Sequence, residues 1–252
     1  MNRAIPAVLL SLAMFGARAE TFVPVLMYHR VTDTMPNSAY SITPDSFAAH
    51  LKVLYDAGYT TLTVADMAQR LYDKKQLPHR AVVLTFDDGW LEHARVVPKL
   101  LSEYAYTATF FVMGCHWGNK NYVDVNDVRA LAESGHEIGG HSCTHDPSLS
   151  DVSRLDDAQW PRIAGEALLS RSEIQSYVGI DIRSYAFPYG LTTATASLKL
   201  ARYGLKFLAE TSAESRVTLS TPYASIPRVN VDGRTTQSDL LTVVRTGRAL
   251  TY

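Results

Sequence analysis

Apolar residues along this chain fall into short unbroken runs, and between those runs they recur every three or four positions. The runs predict strands buried on both faces, and the spaced stretches predict amphipathic helices. Phe22–Tyr28 is the first strand. Phe47, Leu51, Leu54 and Tyr55 mark a helix that starts from a turn at Ser41–Pro44 and stops at Gly58. Tyr59–Leu62 is a brief strand, Val64–Leu71 a second helix and Val82–Phe86 a central strand. A helix from about Leu91 to Tyr104 follows, broken or kinked at Pro98. Next come a strand at Thr107–Met113, a helix at Val125–Ser134 ended by Gly135 and a strand at His136–Gly140. A longer helix at Ala158–Tyr177 stops at Gly179, and a strand at Ile182–Phe187 leads to a helix at Thr193–Tyr203. Phe207–Ala209 and Ile226–Val231 are the last strands.

This repeated alternation, without repeats or low-complexity linkers, argues a parallel α/β architecture, for which a barrel fits as well as an open sheet. In either, the C-terminal ends of the strands share one face, where sites are built. His29, Asp87-Asp88, His141 and Pro188-Tyr189 all fall at such ends.

Composition narrows the class. The 252 residues are 46% hydrophobic and 19% charged with a formal net charge of -1, which suits one globular domain and gives no basic excess for nucleic acid. Met1-Asn2-Arg3, the apolar stretch Ala4–Gly16 and the small residues of Ala17-Arg18-Ala19 predict a signal peptide over 1–19, cleaved before Glu20. The mature 20–252 chain is then expected to be exported, to the periplasm or beyond the cell, with no segment of the roughly 20 apolar residues a membrane-spanning helix needs. Cys115 and Cys143 each follow a predicted strand, and in such a compartment a disulfide and two buried free thiols both stand open.

The chemistry gathers where the central strand ends. Two adjacent carboxylates, Asp87 and Asp88, repel each other, and keeping both ionised calls for a cation, a hydrogen-bond network or open water. The bland alternative is an Asp-Gly turn. His141 and His145 are four apart, a spacing that lets two imidazoles meet one ion. A bare pair of this kind is weak evidence. Joined to a carboxylate it makes an incomplete coordination sphere, with positions left for water and substrate. Successive strand residues diverge, so one aspartate can ligate while the other serves as general base. The metal would acidify a water and polarise a carbonyl.

Thr85-Phe86-Asp87-Asp88-Gly89, His141-Ser142-Cys143-Thr144-His145 and Pro188-Tyr189-Gly190 together resemble, in order and strand-end context, the motifs of polysaccharide deacetylases, the NodB-homology carbohydrate esterases of family 4. The resemblance implies a single-domain α/β fold, a distorted (β/α) barrel. It also implies a divalent metal, zinc foremost with cobalt, nickel or iron(II) as alternatives, and removal of N-acetyl groups from a sugar polymer. On the matching positions Asp87 becomes the base, Asp88, His141 and His145 the metal ligands, and the Tyr189 backbone N–H an oxyanion donor.

Two departures stand out. Many members have Arg-x-Pro-Tyr in the third motif, with the arginine orienting the base, whereas this chain has Ala186-Phe187-Pro188-Tyr189. The arginine is absent or comes from elsewhere, and Arg228 is the candidate. Many members also take their general acid from a histidine near the C-terminus, and no histidine follows His145. His50 and His93 fall on predicted helices, His79 in a loop, and His116 and His136 near the site as loop and strand-start residues. Only His29 ends a strand on the site face. Its Met27-Tyr28-His29-Arg30-Val31 setting resembles the branch acting on poly-β-1,6-N-acetylglucosamine, where the acid histidine sits in the first strand, so His29 is the expected acid.

The expected partner is a polysaccharide or oligosaccharide, bound by a monomer. The polymer stays open among poly-N-acetylglucosamine, chitin oligomers, peptidoglycan and acetylated xylan, with Trp90, Trp117 and Tyr122 read as exposed residues that could stack on sugars and equally as packing residues. A glycosidase using Asp87 and Asp88 is disfavoured, because adjacent residues cannot flank a scissile bond. Competing readings are a glycan-binding module without turnover and a two-histidine, one-carboxylate iron oxygenase, the latter opposed by the regular helices.

Overall fold

The computed structural model describes residues 21–34, 38–150, 160–190 and 194–250, so the signal-peptide reading of 1–19 lies outside the described residues. Strand β1 (Val25–Tyr28) is buried along its whole length. Two-residue strands β2 (Arg30–Val31) and β3 (Ser41–Ile42) pair with each other, where the sequence suggested only a turn. Thr43 then caps α1 (Pro44–Asp56), accepting from the Ser46 N–H, and Pro44 takes the first helical position, where a missing donor costs nothing. After β4 (Thr60–Leu62), a reciprocal capping box between Thr63 and Asp66 starts α2 (Val64–Tyr72).

Following β5 (Ala81–Phe86), the helix expected over 91–104 is broken into two, α3 (Glu92–Arg95) and α4 (Val97–Ser102). The break falls at Val96, with φ -118°, two residues before Pro98. Pro98 sits at the second position of α4, where it has no intrahelical N–H to lose, so the proline starts the second of the two helices. Then come β6 (Thr109–Val112), α5 (Val125–Glu133), β7 (Glu137–Gly140), α6 (Trp160–Val178), β8 (Ser184–Ala186), α7 (Ala194–Arg202), β9 (Phe207–Thr211) and β10 (Ile226–Asn230). A last helix, α8 (Gln237–Thr246), was not anticipated, although Thr236 and Asp239 form a capping box and Gly247 ends it in the left-handed region at φ 71°.

Strand β1 pairs in parallel with both β10 and β5, and β5 through β10 pair in succession, so seven parallel strands close into a barrel. Strand β4 adds to the N-terminal half of β5. The open-sheet alternative is thereby excluded. Register divides each strand between two faces: Met27 pairs with Thr85 and Asn230, and Arg228 with Thr211, so these residues share the barrel interior. One apolar cluster lies between barrel and outer helices, with Tyr28, Phe86, Phe110 and Tyr185 at its centre. A second sits inside the barrel, where Val25, Val83 and Phe207 pack against Val64 and Met67 of α2. Glu137, at the start of β7, accepts from the Ala65 N–H at 2.8 Å, from Thr109 and from Ser184, so the interior holds the first turn of α2. This end of the barrel is closed. The opposite end, where the strands finish, is open. Among the described residues no helix is long and apolar enough to cross a membrane.

Candidate active site

Because all barrel strands run the same way, the groups that end them meet at one rim. Asp87 leaves β5 pointing inward, and Arg228 of β10 reaches it across the barrel. The guanidinium donates to both carboxylate oxygens, at 2.6 and 2.7 Å, and also to Thr85 Oγ1 at 3.1 Å. Arg228 is 0% and Asp87 2% exposed. Burial pushes the Asp87 carboxyl up, but the Arg228 charge, with that of His141, outweighs it and holds the group below the usual carboxylate range.

Asp88, the next residue, turns away with φ 77°, and this left-handed step is what separates the two carboxylates. Its Oδ2 accepts from the Trp90 indole N–H at 2.9 Å, while Oδ1 lies 3.3 Å from His141 Nε2 and 3.6 Å from His145 Nε2. His141 Nδ1–H donates to the Ala186 carbonyl at 3.0 Å, which fixes the tautomer and leaves Nε2 facing Asp88. One ligand atom from each of Asp88, His141 and His145 falls within 4.8 Å of the others. The outer atoms of Asp88 and His141 are engaged by Trp90 and Ala186, and the inner atoms of all three lie close together, which is how a metal's ligands are oriented by their neighbours. Two imidazole nitrogens and one carboxylate oxygen suit a zinc-like divalent ion with open positions. Burial opposes charge on His141, yet Asp87 and Asp88 prevail and raise its affinity for a proton, whereas burial and the neighbouring His141 lower that of His145. The residues fit the metal that the motifs imply.

His29, at the end of β1, lines the same cavity, of about 540 Å³, with Asp87, Asp88, His145 and Tyr189. Burial drives its imidazole below the ordinary range, against the pull of Asp87 and Asp88 toward the charged form. Its carbonyl accepts from His93 Nε2–H at 2.7 Å, and its ring meets the edge of Tyr40 at 5.0 Å. Tyr189 sits at φ 60°, its ring 4.6 Å from that of His145 and its hydroxyl donating to the His145 carbonyl at 3.2 Å. The seven residues singled out from sequence therefore meet at one rim.

Other expectations are revised. His136 precedes β7 and so lies at the closed end, away from the site. Trp90, Trp117 and Tyr122 are half-buried instead of exposed, and Trp90 packs on Tyr122 with ring centroids 4.7 Å apart and the Arg30 guanidinium 4.4 Å above it. Cys115 and Cys143 are joined in a disulfide with Cα atoms 4.8 Å apart, which resolves the open alternative. No motif marks Tyr40 or the contact of Trp90 with Asp88. Only Trp90, two residues from Asp88, lay close enough in sequence to be suspected.

The family profile described as polysaccharide deacetylase matches residues 74–208. The Bacillus subtilis protein YxkH is 30% identical over 123 residues, 49% of this chain and 43% of its own. A poly-beta-1,6-N-acetyl-D-glucosamine N-deacetylase of Staphylococcus aureus is 25% identical over 180 residues, 67% of this chain and 60% of its own. The chain thus spans about half the length of these relatives. Among solved structures, the Streptococcus pyogenes deacetylase PplD in complex with acetate has the same fold, with a TM-score of 0.77 and 20% identity over 89% of this chain and 99% of that one.

Proposed function

This chain belongs to the polysaccharide deacetylase family, and from that premise we propose that it is a metal-dependent hydrolase that removes N-acetyl groups from an N-acetylglucosamine polymer, poly-β-1,6-N-acetylglucosamine foremost, and releases acetate. The observation that carries the proposal is the Asp88, His141 and His145 cluster, placed beside the Asp87–Arg228 pair on one cavity. His29 at the end of the first strand, on that same cavity, supports the β-1,6 linkage. Export, with a signal peptide over 1–19, accords with the Cys115–Cys143 disulfide, a bond that persists in oxidising compartments.

Asp88, His141 and His145 would hold a divalent ion, which supplies Lewis acidity toward a water and toward an acyl oxygen. Asp87, kept ionised by Arg228, takes a proton from the water as its oxygen attacks the acetamide carbonyl carbon. The Tyr189 N–H donates to the oxygen as negative charge develops on it. His29, in its protonated form, gives a proton to the nitrogen as the C–N bond breaks and returns to the neutral imidazole, so that a neutral amine leaves instead of an amide anion, and the products are acetate and a free amino sugar.

The test is acetate release by mature protein, stripped of metal and then resupplied with zinc or cobalt, on poly-β-1,6-N-acetylglucosamine, chitin oligomers, peptidoglycan and acetylated xylan. Metal-restored release is expected, strongest on the β-1,6 polymer. Asp87→Asn should bind metal yet lose at least about 100-fold in rate, and His141→Ala should lose both. Turnover that survives in Asp87→Asn would refute the base assignment, and release by metal-free protein would refute the metal.

A further inference from the structure

We propose that Glu166, on the outer helix α6, is a positioning residue that shapes the loop between the two histidines before any metal arrives; this rests on the metal reading above. The loop Ser142–His145 adopts an uncommon path. Ser142 and His145 both lie in the left-handed region, at φ 62° and 55°, which side chains with a Cβ disfavour. Within the loop, Ser142 Oγ accepts from the His145 N–H at 2.7 Å. Outside it, Glu166 Oε2 accepts from the Cys143 N–H at 3.1 Å and the Thr144 N–H at 2.8 Å. Thr144 Oγ1 adds contacts to both carboxylate oxygens, at 3.0 and 3.1 Å.

The two ligands are held differently. His141 directly follows β7, and its ring is fixed by the Ala186 carbonyl. His145 lies beyond the left-handed turn, and its direction depends on the turn's shape. Two successive N–H groups pointing at one carboxylate are a backbone concavity of the kind that binds anions, here filled by the protein's own side chain. Without Glu166 those donors lose their acceptor, and the turn can relax toward right-handed conformations that carry His145 away from Asp88. The disulfide from Cys143 to Cys115 tethers the middle of the loop but does not set its backbone angles. Glu166 acts on the site through His145, with no contact to metal or substrate.

The experiment measures zinc affinity of the mature protein by competition with a chelating dye, the cobalt(II) absorption spectrum, and the thermal midpoint of the metal-free protein. Glu166→Ala should bind zinc about 10-fold or more weakly, as loss of a ligand-orienting contact generally does, with an altered cobalt spectrum. Its metal-free midpoint should move little, and Glu166→Gln, which keeps one acceptor oxygen, should fall between. Wild-type affinity and spectrum in folded Glu166→Ala overturn the proposal. A wild-type protein that binds no zinc overturns the metal reading, and this inference with it. Should Glu166→Ala fail to fold, Thr144→Val decides, since it removes one hydroxyl from an exposed residue. A few-fold weaker zinc binding is expected there, and an unchanged affinity overturns the proposal.

Discussion

Breaking the Asp87–Arg228 pair from one side should cost far more than removing both charges. Arg228 is fully buried and meets both Asp87 oxygens at 2.6 and 2.7 Å, so Arg228→Met strands a carboxylate in the barrel interior. A buried charge left without its partner typically costs about 3–5 kcal/mol, whereas replacing both members of such a pair with neutral groups of similar size is often close to neutral. Asp87→Asn keeps one acceptor but leaves the buried Arg228 guanidinium without its counter-ion, again for about 3–5 kcal/mol. The double variant should therefore be more stable than the sum of the single losses, by a coupling of about 2 kcal/mol or more. The assay is urea unfolding of all four proteins, metal-free so that ion binding does not add its own linkage. The sign with pH follows from the depressed Asp87 value. A carboxyl held below its ordinary 3.8 stabilises the fold above that pH and loses its contribution as pH falls through the folded value. The coupling should thus be undiminished from pH 7 to about 4 and shrink below it. Single-variant losses that add within about 0.5 kcal/mol at pH 7 would refute the reasoning.

Burial lowers the His93 imidazole below its ordinary 6.5, so the unfolded chain takes up a proton that the fold refuses, and stability falls as pH drops below that value. His50 and His136 act in the same direction. In His93→Gln the fall between pH 6.5 and 5 should be shallower by up to about 1.4 kcal/mol per pH unit, read from urea midpoints, and an unchanged slope would contradict it. Reducing the Cys115–Cys143 bridge, which spans 28 positions, should destabilise the protein by about 3–4 kcal/mol. Paired urea titrations with and without dithiothreitol check this, and coincident midpoints would count against it.

What could be read directly was local. Asp87-Asp88 at the end of an apolar run and His141 with His145 after another are short-range patterns, and the structure brings their ligand atoms within 4.8 Å. The capping box at Thr236 and Asp239 that starts α8 is equally local. Pro98 marked the break between α3 and α4 to within two residues, but the same missing N–H breaks a helix interior and starts a helix, and only the backbone at Val96 places the junction. Glu166 had no signal at all, because a glutamate on an amphipathic helix looks like any solvated residue until its neighbour is known.

Sequence alone determined the parallel α/β class and its strand-end chemistry, because burial on both faces of a strand and the repeat of a helix are written residue by residue. Closure was decided only in three dimensions. Whether β1 pairs with β10 as well as β5, making a barrel of a sheet, depends on strand tilt and register summed around the whole ring. That same register carries Arg228 to Asp87 across 141 positions of chain, and its inward face at β10 cannot be inferred from a run in which both faces are covered.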